Sequence, residues 1–274
     1  MGNDIRIDTK DFQINQEKCP QAFFAFATDP NDFSPKDLVK EWHIEHIRRF
    51  NVSANYLYAS LTRFMLSASM RIDIEDKDYN EQELQIINQE FRLDSRDLCI
   101  NIAMYVDKVK SFCGHYFFIN PDTTQNAKEW IKTMEHFIHM PNGKWVDIFL
   151  SLARDFYNME SFKFVKNIRD DEIHNESVIE LMDYDLVNKD GATQIVSLGY
   201  IVSENSLYGN ILDTIEPLKE LSKALNNMIL RINPVHVYKY LEDKKWNLKG
   251  IINPDERYKK AREIDYLYSN VNKE

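Results

Sequence analysis

The strongest constraint on this chain is a narrow apolar seam. Ile47, Phe50, Ala54, Leu57, Leu61, Phe64 and Ala68 recur at spacings of three and four, which puts them on one side of an α-helix and on no single face of a strand. Ser34 followed by Pro35 supplies an N-cap and then proline at the first helical position. A helix running unbroken from Pro35 to about Ile72 would be roughly 55 Å long. The acidic segment Asp73–Asn80 reads as the loop that ends it.

Three more helices follow in the pattern. The second is signalled by Asp94–Ser95 and then Leu98, Ile102, Tyr105, Val109 and Phe112, with Gly114 as its terminator. The third runs from about Thr124 to Met140, with Ala127, Trp130, Met134 and Phe137 on one side, and ends at Pro141–Asn142–Gly143. The fourth opens at Lys144, carries Trp145, Ile148, Phe149, Leu152 and Phe156, and continues through Phe162, Val165 and Ile168. Seams with a spacing near 3.5 favour side-by-side packing over steep crossing. The expected fold class is therefore mainly α: an antiparallel helical bundle of about four core helices spanning 36–176.

After Asn175 the period changes. Val178, Glu180, Met182, Tyr184 and Leu186 alternate with polar residues, Asn188–Lys189–Asp190–Gly191 offers a turn, and Gln194–Val202 returns. This predicts an added β-hairpin over 177–203, which must pack on the bundle or on a partner because two strands alone are marginal. C-terminal helices over 204–274 complete the expectation. One carries Leu218, Leu221, Leu225, Met228 and Ile232 and stops at Asn233–Pro234; the last spans about Pro254–Tyr268. With no repeats and no Gly/Ser linkers, the whole of 1–274 reads as a single domain.

A formal net charge of −10 disfavours sequence-independent coating of nucleic acid, whose affinity comes largely from neutralising phosphates. Cys19, Cys99 and Cys113 are too few and too scattered for a disulfide framework, and no Cys-x-x-Cys pair occurs. The longest early apolar run, Ala22–Ala27, is far short of a membrane span. A reducing cytoplasm and no membrane partner are the expectation.

Most catalytic classes lack their residues. Di-metal carboxylate bundles need Glu-x-x-His pairs, and none occurs. His43 and His46, like His136 and His139, are i, i+3 neighbours and read better as surface or boundary histidines than as metal ligands. The glycines are isolated, so no phosphate-binding loop forms, and no Gly-x-Ser-x-Gly surrounds a serine. Neither a metal nor another cofactor is expected.

What remains is Asn167–Ile168–Arg169–Asp170–Asp171–Glu172–Ile173–His174–Asn175 at the end of the fourth helix. Arg offers a bidentate fork for phosphate oxygens, and His ionises near neutrality. On one continuous helix, positions 169 and 174 diverge by about 140°. They converge if the helix ends or bends between them, or if a second subunit supplies the other pair. The acidic Asp170–Glu172 favours protonated His174 and repels an RNA backbone unless offset. A structural role is also open, with Arg169 paired to a carboxylate and His174 capping the helix. Arg231–His236 repeats the spacing, but an apolar residue follows its Arg and Pro234 breaks the helix.

Arg169, the polar Asp170 after it, and His174 resemble the Arg-x(4–6)-His signature of the HEPN superfamily of helical-bundle domains, many of them metal-independent RNases. The resemblance implies an endoribonuclease of toxin–antitoxin or defence type acting on RNA. Arg169 and His174 would be catalytic, with Asp170 and Asn175 supporting them. It also implies a homodimer with facing motifs and an antitoxin-type protein partner. The other reading is a non-catalytic helical protein–protein interaction module.

Overall fold

The computed structural model describes residues 38–72, 80–174, 185–189, 192–196, 204–232, 234–245, 247–253 and 256; for 38–45, 71–72, 172–174, 185–196 and 204–206 it describes the backbone only. The described chain is mainly helical. Its helices are α1 (Leu38–Ile72), α2 (Glu81–Tyr116), α3 (Ala127–Met134), α4 (Lys144–Asn158), α5 (Glu160–His174), α6 (Glu204–Arg231) and α7 (Pro234–Asp243). Short 3-10 turns at Pro121–Thr124 and Glu135–His139 flank α3. Pro35, Cys19, Asn175 and the helix expected at Pro254–Tyr268 lie outside the described residues, Glu256 apart.

The seam of α1 is buried along its whole length: Ile47, Phe50, Ala54, Leu57, Leu61, Phe64 and Ala68 are each at most 9% exposed. The second helix corrects the expectation. It begins at Glu81, not at Asp94. Asn80 and Glu83 form a reciprocal cap, Glu83 N–H donating to Asn80 Oδ1 (3.0 Å) and Asn80 N–H to Glu83 Oε2 (2.9 Å). Asp94 is no cap; it lies 3.9 Å from Arg63 of α1, and the Ser95 hydroxyl donates back to the Phe91 carbonyl at 2.6 Å.

Gly114 sits inside the last turn of α2. A Cβ there would meet Thr124 Cγ2 at 2.7 Å, so glycine permits close approach, and the chain leaves the helix at Phe118 with φ +56°. The third helix is shorter than expected, tightening to 3-10 geometry after Met134. The fourth is two helices separated at Met159. On α4 the buried side is Val146, Phe149, Leu150, Ala153 and Phe156, while Ile148 is exposed. The helix of Leu218–Met228 begins at Glu204 and runs through Pro217.

Between α5 and α6, β1 (Asp185–Lys189) runs antiparallel to β2 (Ala192–Val196), with Asp185 opposite Val196 and Lys189 opposite Ala192. The described pairing covers these residues, and the hairpin expected over 177–203 is not established by it as an added layer.

The chain forms two compact units. Of the described residues, the first takes in those of 51–106 and 156–220. Its described core draws on α1 (Leu57, Phe64), α2 (Ile87, Phe91, Leu98), α5 (Phe162, Val165, Ile168) and α6 (Leu207, Ile211, Leu218). Phe64, Phe91 and Tyr208 meet with ring centroids 5.7–6.3 Å apart. Burial pushes the Tyr208 phenol up to about 12.

Of the described residues, the second unit takes in those of 38–50, 107–155 and 221–256. A chain of aromatic contacts, Phe50–Phe112–Tyr116–Phe117–Phe137–Tyr240, runs through it with centroids 4.8–6.1 Å apart. Backbone bonds from Asn120 N–H to Gly250 and from Ile252 N–H to Phe118 fasten the segment after α7 to the end of α2. The buried Tyr116 hydroxyl donates to the Ile232 carbonyl at 2.6 Å, and the Cys113 side chain is buried, as is Cys99 in the first unit.

Two stability outcomes follow. A Cβ at Gly143 would lie 2.0 Å from the Ile138 carbonyl oxygen, so Gly143→Ala should destabilise by about 1–3 kcal/mol, read as a lower urea midpoint. Burial raises the Cys113 thiol from its ordinary 9.0 and the Tyr116 phenol from 10.0. Both are neutral when folded and ionise on unfolding. Their stabilisation is full below pH 9.0 and is lost as pH rises beyond it. Urea midpoints should fall between about pH 9 and 11, and the fall should be shallower in Cys113→Ala.

Candidate functional site

α5 is a short amphipathic helix. Ser161, Phe162, Val165 and Ile168 form its buried stripe, and Arg169 follows directly, with a side chain only 16% exposed. Arg169 Nε lies 2.7 Å from Asp170 Oδ1. That contact is an ion pair between chain neighbours, with Nε out of line for a hydrogen bond. Lys166 reaches the other Asp170 oxygen at 3.7 Å, one helical turn earlier. Asp170 thus sits between two cations, and the charge of Arg169 is largely offset where it stands.

The helix continues without a break through His174. Positions 169 and 174 therefore diverge by about 140° around one axis. The bend that would turn them toward each other within one chain is absent from α5. The His174 side chain and the whole of Asn175 lie outside the described residues.

The second Arg-x4-His match has a different setting. Arg231 is the last residue of α6 and His236 lies in the first turn of α7, with Pro234 starting the new helix. The Arg231 guanidinium carbon lies over Trp145 at 4.0 Å from the ring centroid. Its Nη1 donates to the Asn227 side-chain oxygen at 3.0 Å and to the Asn227 carbonyl at 3.3 Å. Lys144 Nζ lies 5.4 Å from the same indole. Asn142, in a left-handed conformation at φ +64°, donates its amide to the Arg231 carbonyl at 3.1 Å. Sequence reading missed this cluster because Trp145 and Arg231 are far apart in the chain; the only local sign was a basic residue at a helix end just before proline.

The histidines divide. His46 stacks on His115 with centroids 4.0 Å apart and planes 17° from parallel, a face-to-face geometry that turns ring nitrogens away from a shared metal. His139 is exposed, and His136 accepts the Tyr240 hydroxyl through its backbone carbonyl at 2.8 Å. The described residues contain no group of three His, Cys, Asp or Glu side chains placed to hold a metal. None of their helices is long and apolar enough to cross a membrane.

No family model matches the sequence, and neither a curated protein nor a solved structure matches it.

Because Asp170 is 41% exposed, its pairing should contribute little to stability. Asp170→Asn should shift the unfolding free energy by less than about 1 kcal/mol in urea denaturation.

Proposed function

We propose that the protein is a HEPN-like endoribonuclease whose first unit is the helical bundle and whose reactive pair is Arg169 and His174. The observation that carries this reading is the placement of Arg169. It is anchored beside the buried stripe of α5, largely withdrawn from solvent and held by Asp170. A guanidinium so fixed loses little freedom when it meets a phosphate.

The reaction needs no metal. The 2′-hydroxyl attacks the adjacent phosphorus, the new P–O bond closes a 2′,3′-cyclic phosphate, and the P–O5′ bond breaks to leave a 5′-hydroxyl. One His174 takes the 2′-hydroxyl proton, an acid protonates the departing 5′ oxygen, and Arg169 holds the non-bridging oxygens as charge builds. Asp170 and Asn175 orient the pair. With about 140° between the two positions on one helix, the site is composite: Arg169 of one copy acts with His174 of another. Such a protein belongs to a defence or toxin–antitoxin setting in the cytoplasm, with an antitoxin-type protein as its restraint.

One observation favours a non-catalytic interaction module instead. On the first unit α1 exposes Val52, Tyr56, Leu66 and Met70, and α2 exposes Ile86, Leu93 and Met104, each at least 39% accessible. Val52, Tyr56, Leu66 and Met70 fall in heptad register, which is the pattern of a helix face that docks another helix.

Incubating purified protein with a mixed-sequence RNA, without added metal and with EDTA present, separates the two. The expected result is cleavage with cyclic-phosphate ends. Arg169→Ala and His174→Ala should each slow it by about 100-fold or more, and mixing the two inactive variants should restore part of the rate through mixed dimers. Activity that survives both substitutions sinks the nuclease reading.

A further inference from the structure

The cations of the two units are differently occupied. In the first unit Arg63 is held by Asp94 and Asp97, Lys163 by Glu160, Lys166 and Arg169 by Asp170, and Lys219 by Glu216. In the second unit Lys144, Arg231, Lys239, Lys244 and Lys245 have no carboxylate partner among the described residues. Those beyond Arg231 fall on or just after α7. A chain with net charge −10 therefore keeps a group of unneutralised cations in one unit.

Arg231 is the best prepared of them. An indole beneath a guanidinium stabilises the cation through the ring face and leaves its N–H groups for hydrogen bonds. Here Nη1 is spent on Asn227, whereas Nε and Nη2 make no hydrogen bond among the described residues. The residue is exposed to solvent. The backbone beneath is fixed at both carbonyls, Arg231 by the Asn142 amide and Ile232 by the Tyr116 hydroxyl. The arrangement presents two parallel N–H donors on a rigid support, the geometry that fits two oxygens of one phosphate.

We infer that Arg231, seated on Trp145 with Lys144 beside it, binds the phosphodiester backbone of single-stranded RNA. Lys239, Lys244 and Lys245 add charge to the same unit. The choice of RNA over other polyanions rests on the nuclease reading; the phosphate seat itself does not. It is a binding surface separate in sequence from Arg169 and His174.

The test is fluorescence anisotropy with a 5′-labelled 2′-O-methyl RNA 20-mer, which cannot undergo 2′-hydroxyl attack. The wild-type protein should bind, and binding should weaken as salt rises from 50 to 200 mM. Arg231→Gln should weaken it about tenfold and reduce the salt slope by about 0.7, the contribution of one phosphate contact on a single strand. Trp145→Ala should weaken it in the same direction, and Arg231→Lys should restore part of the loss. Arg63→Gln removes an equal charge from a paired cation and should change little. Arg231→Gln binding as tightly as wild type, equal losses in Arg231→Gln and Arg63→Gln, or no wild-type binding at 50 mM salt each overturn the inference. Binding of the 20-mer with no cleavage of ordinary RNA would leave this surface standing while removing the nuclease; cleavage unaffected by loss of the Arg231 seat would do the reverse.

Discussion

The hydrogen bond from the Tyr116 hydroxyl to the Ile232 carbonyl is the contact on which the second unit's arrangement turns. An α-helix ends with four carbonyls that its own backbone cannot satisfy. Many helices solve this with a left-handed glycine; α6 has Arg231, Ile232 and then Pro234, and no glycine there. Two side chains from elsewhere take over. Tyr116 closes one carbonyl from the end of α2, and Asn142 closes the next from the turn before α4. Leaving the buried Ile232 carbonyl unpaired would cost on the order of 1–3 kcal/mol. The same bonds that stabilise the helix end hold Arg231 above Trp145.

Tyr116 can serve because it is also a rung in the aromatic series from Phe50 to Tyr240. Its ring is locked by packing before its hydroxyl is used, so little freedom is lost in making the bond. Gly114 and Gly143 do related work through absence of a side chain. Each lies where a Cβ would strike a neighbour at 2.7 Å or less, and each stands beside one of the turns that deliver Tyr116 and Asn142. The polar seat at Arg231 is thus a by-product of how one helix end is finished.

The two Arg-x4-His matches show how little a spacing says about chemistry. Arg169 has the better sequence context, with a polar follower and a place at the end of α5. Its charge is nonetheless answered by Asp170, and the helix runs straight on through His174. Arg231 has the poorer context and the freer guanidinium. Which carboxylates a cation meets is settled by helix phase and by neighbours in space, and neither can be read from the motif.

By itself the sequence determined most of the described helices and the inner faces of α1, α2 and α6. The seam of α1 was correct at every position, because burial of one face imposes a period of 3.6 on the residues themselves. The buried side of α6 and the stop before Pro234 were visible for the same reason. Helix ends were less so. The start of α2 was missed because Asn80, which caps it together with Glu83, closes the acidic stretch that read as loop. The division at Met159 was missed because the apolar period carries across it. Only the tertiary structure decided the functional geometry. It set Asp170 against Arg169, left Arg231 without a carboxylate, and brought Trp145 beneath it from a different helix. These are relations between side chains distant in sequence or fixed by rotation about a helix axis, and hydrophobic period, the one signal strong enough to read along the chain, carries no record of them.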